Sequence, residues 1–388
     1  MDARPRARRL PITAVCVTVL LPLGACHSEP AAAGGFDEVV IALPHWPGGQ
    51  ANAAVAAHVL REEFGVPVVL RELDQGRAWD LMDTGEVHAV LEDWGALPER
   101  AELYTGRRGS VVDVGELGPV GGVGWYVPAS WARSRPGAPT PEWLADLTDE
   151  LTVPPGAVPA GGTDDEGTGG EGTGGEGTED EGAGDGDPDA TEAGGALVYG
   201  HPDDATELDE RLIEDLDLDL TPVALGGEEQ VVAALRTAAE KGEGLLAGWW
   251  EPHWLHAEVR LVEIDLPPYT EGCEDADPAG ADDGTGQPCG YPEIALRKYL
   301  NAEFAENGGA AAAFLTRFSW TAREQNEVAR LIAAEGMTPE GAAARWVEAH
   351  PGRVTGWLRE DGEGDAAPEE ASAGGSGTAG RAAGAPSR

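Results

Sequence analysis

Three tryptophans stand where short apolar runs give way to turn-rich sequence. His45-Trp46-Pro47-Gly48-Gly49 follows the run from Val39 to Leu43, Leu91-Glu92-Asp93-Trp94 ends the run from Val87 to Leu91, and Gly248-Trp249-Trp250-Glu251-Pro252-His253-Trp254 ends the run from Leu245 to Trp249. In α/β sheets the carboxyl ends of strands are where ligands bind. A trimethylammonium group has no N–H to donate, so a site must hold it by charge and shape. Carboxylates would also hold Na⁺, K⁺ and ordinary amines, whereas an indole face offers a negative quadrupole without strong hydration. One such Trp reads as a core plug; three at equivalent strand ends, with Pro and Gly beside them, read as a cage for a quaternary ammonium. The chain has 12 Trp against 6 Tyr and 5 Phe, so the enrichment is in indole and not in aromatic rings generally.

Other chemistries find no support. The sequence holds no GxSxG, no HExxH, no Walker A loop and no GxGxxG after a strand, and no nucleophile–base pair stands out, so neither enzyme nor cofactor is expected. His253 and His256 could share a helical face toward zinc, but a third ligand is not evident. Asp185, Asp187 and Asp189 hint at a calcium loop whose pattern fails at Ala190 and Ala196, where a Gly and a bidentate Glu belong. No metal site is expected.

The elements that must position the tryptophans follow from the patterning. Strand-like runs from Val39 to Leu43, Val66 to Leu70 and Val87 to Leu91 alternate with helical stretches from Asn52 to Phe64 and Ala78 to Thr84, and Val120 to Val127 adds a further strand. The alternation resumes with a helix from Ala205 to Leu216, a strand from Thr221 to Leu225, a helix from Glu228 to Lys241 and a strand from Leu245 to Trp249. Two α/β regions, roughly 37–127 and 197–265, would leave a ligand cleft between them. From Ala310 to Leu358 the chain reads as helices cut at Thr321, Thr338-Pro339 and Pro351-Gly352. Residues 161–195 are Gly-rich and acidic with no basic residue, and are expected to form a solvated loop; the tail 359–388 is expected to be disordered.

With 70 acidic and 26 basic residues, the 388-residue chain carries a formal charge of −44. That excludes a sequence-independent nucleic-acid binder and docking on an anionic membrane through a basic patch. The first residues read as an address: Arg4, Arg6, Arg8 and Arg9 precede an apolar stretch from Leu10 to Leu23 that is too short to span a bilayer. Leu23-Gly24-Ala25-Cys26 resembles the bacterial lipoprotein cleavage motif, which implies removal of residues 1–25, a lipid on Cys26, a small-residue tether over 26–36 and a place outside the cytoplasmic membrane. In that oxidising setting Cys273 and Cys289 bracket a Gly/Asp/Pro-rich loop and are expected to form a disulfide.

The pieces VVIALPHWPGGQANAAVAAHVL, ELDQGRAWDLMDTGEVHAVLEDW, VGGVGWYVPASW, LLAGWWEPHWLHAEVRLVEI and YPEIALRKYLNAEF, with FLTRFSWTAREQNEVARLI and AAARWVEAHPGRVTGWL, resemble the substrate-binding proteins of glycine betaine/proline betaine ABC transporters. Trp-x-Pro-His-Trp and GWYVP are the most specific of them. The resemblance implies an α/β fold of two lobes, periplasmic-binding-protein-like and type II-like, closing as a Venus flytrap on a ligand cleft. It implies lobe 1 over 37–130, lobe 2 over 131–265 with the acidic segment 161–195 inside it, and a return to lobe 1 over 266–358. By position Trp94 and Trp250 match cage tryptophans, and His253 matches the histidine assigned here to the ligand carboxylate. Trp46 lies in the first-strand loop, where Gly48, Gly49 or Gln50 offers backbone N–H groups at a helix start. The chain departs from the family where many members carry another cage Trp, since the acidic segment has none, and where some carry a His, since Pro98 stands there. The implied partners are a quaternary ammonium solute and ABC permease subunits. Choline, carnitine or another small amine, or a sensor or structural lipoprotein without transport, are the alternatives.

Overall fold

The computed structural model of the chain describes residues 35–160, 194–273 and 288–359. The expected leader through residue 25, the Cys26 lipid site, most of the tether 26–36, the acidic segment through residue 193 and the tail after Arg359 lie outside the described residues.

The first half of the molecule alternates as its patterning requires. Strand β1 (Val39–Leu43) leads into α1 (Pro47–Phe64), β2 (Val68–Glu72), α2 (Gln75–Thr84) and β3 (Ala89–Asp93). Helix α1 begins five residues before the expected Asn52, because Pro47 at its first position has the fixed φ that a helix start needs and no N–H to leave unpaired. It ends on Gly65 in the left-handed conformation. Its small buried residues, Ala51 through Ala57, let it lie close against the sheet. After the short helix α3 (Pro98–Ala101) comes β4 (Val111–Pro128), far longer than the strand expected from Val120 to Val127.

Strand β4 is shared by two half-sheets. From Val111 to Gly121 it pairs antiparallel with β10 (Ile294–Asn301); from Gly122 to Tyr126 it pairs with β8 (Leu246–Glu251), and at Tyr126–Pro128 with β9 (Leu261–Glu263). The first half-sheet has the order β2-β1-β3-β10-β4, with β1 parallel to both its neighbours. The second runs β4-β8-β6-β7-β5, where β5 is Val158–Pro159, β6 Gly195–Tyr199 and β7 Leu220–Ala224. In it β6 is parallel to β7 and β8, and the crossovers are α6 (Glu207–Asp215) and α7 (Glu228–Lys241). The short helices α4 (Ala129–Ala132) and α5 (Pro141–Ala145) join β4 to this second unit. This is the expected mixed α/β, two-lobed architecture.

The C-terminal helices break where the punctuating residues predict. After α8 (Ala302–Asn307) and α9 (Gly309–Arg317), Thr321 caps α10 (Ala322–Ala333) in a reciprocal pair with Glu324, Thr338 caps α11 (Pro339–Ala349), and Pro351 opens α12 (Pro351–Leu358). Helices α10 and α11 pack on α1, and α10 also packs on the turn Trp254–Ala257 after β8, so it braces both half-sheets. Cys273 and Cys289, both buried, are joined in a disulfide. Among the described residues no helix is long and apolar enough to cross a membrane.

Candidate functional site

The carboxyl ends of β1, β3 and β8 converge on one cavity of about 370 Å³, bordered by Trp46, Pro47, Gly48, Gln75, Trp94, Val123, Glu228, Trp250, Pro252, His253 and Trp254. Trp46, Gly48, Trp94, Trp250 and His253, five of the seven residues singled out in the sequence, therefore meet in one place, while Gly49 and Gln50 do not line it. A larger cavity of about 510 Å³ between the Thr152–Pro155 segment and α7 has no aromatic residue in its lining, so it offers nothing to a quaternary ammonium.

The wall contributed by the first half-sheet is organised by Glu92. Side chains alternate along a strand, so Glu92 and Trp94 share a face while Asp93 takes the other. Trp94 Nε1 donates to Glu92 Oε1 at 2.7 Å, and Trp46 Nε1, arriving from the end of β1, donates to the same oxygen at 2.7 Å. Glu92 Oε2 accepts from Asn52 Nδ2 of α1 and from Gln325 Nε2 of α10, the latter at 2.8 Å. Trp320 Nε1 donates to Asn52 Oδ1 at 2.7 Å and ties the set to the C-terminal helices. Glu92 is buried, and burial pushes its carboxyl above the usual carboxylate range against the pull of the four hydrogen bonds. On the opposite face Asp93 accepts from Trp79 Nε1 at 3.0 Å, from Gln75 Nε2 at 2.7 Å and from the Gly95 N–H at 2.8 Å, which fixes the turn carrying Trp94.

Two glycines let these rings lie where they do. A Cβ on Gly121 would come within 2.6 Å of Trp94 Cζ3, so the ring rests directly on the backbone of β4 where that strand changes partner. A Cβ on Gly49 would lie 2.3 Å from Pro44 Cγ and 2.9 Å from the Trp46 ring. Gly49 is buried behind Trp46 and does not border the cavity; Gly48 does.

The facing wall is built by stacking. Trp250 lies within β8, not in a loop after it, and stacks on the buried Trp249 with ring centroids 4.5 Å apart. The His253 ring stands edge-on to both, at 4.8 Å from Trp250 and 4.7 Å from Trp249. His253 Nδ1 accepts the Leu255 N–H at 3.1 Å, so Nε2 carries the proton and donates to Glu228 Oε1, also at 3.1 Å. Burial lowers the His253 pKa and outweighs the neighbouring carboxylate, so the ring is neutral near pH 7. Glu228, half-exposed, is held below its ordinary value by the bond to His253. Both ring nitrogens of His253 are thus engaged within the protein, which leaves neither for the ligand carboxylate expected there. His256 turns away, with Nε2 3.0 Å from the Trp250 carbonyl oxygen, and no His/Cys/Asp/Glu group able to hold a metal occurs among the described residues.

Sequence reasoning missed Glu92, Asn52, Gln325, Glu228 and Gln75. A signal existed for Glu92: in Ala89-Val90-Leu91-Glu92-Asp93 every residue is buried, and an acid in such a run needs a stated partner. Nothing in the local sequence links Asn52 and Gln325, which lie 273 positions apart, to that carboxylate.

The family model for the substrate-binding domain of the ABC-type glycine betaine transport system matches residues 37–349. The trimethylamine N-oxide-binding protein of Pelagibacter ubique (strain HTCC1062) is 34% identical over 130 residues, which are 33% of this chain and 39% of that protein. The glycine betaine/carnitine transport binding protein GbuC of Listeria monocytogenes serotype 1/2a (strain 10403S) is 25% identical over 127 residues, 33% of this chain and 36% of that protein. The matches thus span well under half the length of these two relatives. The crystal structure of a glycine betaine/carnitine/choline ABC transporter superposes with a TM-score of 0.51 at 12% identity, covering 83% of this chain and all of that one, a likeness of fold.

Proposed function

This chain belongs to the family of substrate-binding domains of ABC-type glycine betaine transport systems, and from that premise we propose that it captures glycine betaine or a close quaternary ammonium relative and delivers it to an ABC permease. The observation that carries the reading is the pair of indoles, Trp46 and Trp94, hydrogen-bonded to one oxygen of Glu92 and bordering the same cavity as Trp250. Each ring face contributes roughly 0.5–2 kcal/mol toward a desolvated cation. The ligand carboxylate goes to the start of α1 at Gly48, the first-turn glycine that borders the cavity, where no side chain caps the helix. His253 holds Trp250 and Glu228 in place.

One feature favours choline as a second reading. Glu228 in the lining would repel a ligand carboxylate and accept a hydroxyl. Titration calorimetry with glycine betaine, choline and trimethylamine N-oxide distinguishes these readings: saturable binding of glycine betaine supports the first, choline alone the second. No heat and no thermal shift with any of the three would leave a sensor or structural lipoprotein.

The same reading sets the chain outside the cytoplasm, tethered by a lipid on Cys26. Cys26→Ala should release it from membranes, and identical fractionation of both forms would refute the anchor.

A further inference from the structure

Glu92 is a buried carboxylate without an ionic partner among the described residues. It is 3% exposed, and its four hydrogen bonds come from neutral groups: Trp46 Nε1 and Trp94 Nε1 on one oxygen, Asn52 Nδ2 and Gln325 Nε2 on the other. Among the described residues no Lys, Arg or His faces it; α1 and α10 present the amides of Asn52 and Gln325, and Glu324 of α10 turns instead to Thr321 and Arg353. Two N–H donors on each oxygen is the arrangement an ionised carboxylate takes, because it accepts and never donates. Both indoles are donors only, and Asn52 Oδ1 already accepts from Trp320. A buried charge of this kind is costly unless a counter-charge offsets it.

The place for the counter-charge lies on the other side of the two rings. Gly48 borders the cavity directly above the carboxylate, since a Cβ built on it would sit 3.6 and 3.7 Å from the two Glu92 oxygens. The N–H bonds of Trp46 and Trp94 point at the negative charge, and hydrogen bonding of that sense polarises the rings toward greater electron density at their faces. From this geometry we infer that the bound cation is the counter-ion of Glu92, which makes Glu92 the residue that selects a charged trimethylammonium over an uncharged group of the same shape. The inference rests on the reading of this cleft as a quaternary ammonium site.

It follows that a proton and the ligand compete. Burial already raises the Glu92 pKa, and a cation above it lowers it again, so binding expels any proton present and affinity climbs with pH through the Glu92 titration before levelling off. The protonated form has a ready acceptor in Gln325, whose Oε1 is buried without a partner and would meet the carboxyl if the amide turned over. The titratable groups that border the cavity itself are Glu228 and His253. Glu228 sits below its ordinary value and titrates at lower pH than Glu92.

The test uses glycine betaine and its uncharged-head isostere 3,3-dimethylbutanoate, in which carbon replaces nitrogen, with affinities taken from calorimetric displacement. Wild type is expected to prefer the betaine at least tenfold at pH 7.5. In Glu92→Gln, checked for fold by circular dichroism, that preference should collapse to within about threefold. As pH falls from 7.5 toward the ordinary carboxylate value of about 4.3, the wild-type preference should shrink, and that of Glu228→Gln should shrink in the same way. An undiminished preference in folded Glu92→Gln overturns the inference. Should that variant fail to fold, the wild-type and Glu228→Gln pH series decide, and a preference constant across that range overturns it equally. If wild type binds neither compound, the functional reading itself falls.

Discussion

The two walls of the cleft hold their tryptophans by opposite means. In the first half-sheet, Trp46 and Trp94 are fixed by N–H bonds to a buried carboxylate, and the carboxylate is fixed by α1 and α10. In the second, Trp250 is fixed by a stack on Trp249 and an edge-on neutral histidine, and the nearest carboxylate, Glu228, bonds to that histidine and not to the indole. A ring held by its edge stays electrostatically coupled to whatever accepts its hydrogen; a ring held by its face depends on packing alone. The first wall is thus suited to discriminating charge and the second to completing shape.

The largest effect is expected behind the stacked wall. Trp249 is 1% exposed, and Trp249→Ala should cost about 3–5 kcal/mol in chemical denaturation through the cavity it leaves. Loss of the Cys273–Cys289 disulfide, which closes a loop of 16 residues on the return path to β10, should follow at about 3 kcal/mol, with ligand affinity unchanged in Cys273→Ser. Trp94→Ala and Trp250→Ala each remove a half-buried ring facing the cavity, and calorimetry should show betaine affinity falling at least tenfold, or about 1.4 kcal/mol, with smaller losses of stability than at Trp249. Wild-type affinity in both variants would remove the cage assignment and leave the fold untouched.

Phenylalanine separates the two mechanisms more finely. It keeps a π-face in either position but has no N–H. At Trp94 the change strips Glu92 Oε1 of one of its two donors, which should cost about 1 kcal/mol of stability and weaken binding beyond the loss of indole area. At Trp250 the stack on Trp249 survives, so Trp250→Phe should be the milder of the two. Equal affinities in the two Phe variants would mean that the edge-held ring has no electrostatic advantage.

The difference between the walls also explains what could be read in the sequence. Helix α7 was legible from end to end, because Val231, Val232, Leu235 and the acidic start repeat at helical spacing. The breaks at Thr321, Thr338 and Pro351 were legible because capping is a local interaction. Trp46, Trp94 and Trp250 could be found because they follow apolar runs. Strand β10 was missed: Arg297, Lys298 and Asn301 interrupt its apolar pattern, and their partners come from distant segments, Lys298 on the carbonyls of Leu315 and Thr316 and Asn301 on that of Met82. Strand β6 was missed because it starts at Gly195, inside the stretch taken for solvated loop. Glu92 was missed for the same reason as β10. A buried charge is justified only by groups far along the chain, and the bond between His253 and Glu228, 25 positions apart, was equally invisible in the local sequence.

The smallest effect is in the pH dependence of stability, where the walls should slope in opposite directions. Glu92 has a folded-state pKa raised by burial, while the unfolded chain titrates it near the ordinary carboxylate value of about 4.3. Between those two values the folded protein holds a proton that the unfolded chain has lost, so the Glu92 contribution falls as pH rises through the window, and its cost is fully present above it. His253 runs the other way. Burial lowers its folded pKa, the unfolded chain takes up a proton below about 6.5, and stability therefore rises with pH through the interval between the folded value and 6.5. Glu228, lowered by the bond to His253, adds stability that is lost only at still lower pH. Each group is limited to a slope of about 1.4 kcal/mol per pH unit. Urea midpoints for the ligand-free protein from pH 4 to 8 should show Glu92→Gln losing the falling component and His253→Gln losing the rising one. Curves that shift in parallel, with no change of slope in either variant, would show that neither group changes its proton affinity on folding, and the electrostatic contrast between the walls would go with it.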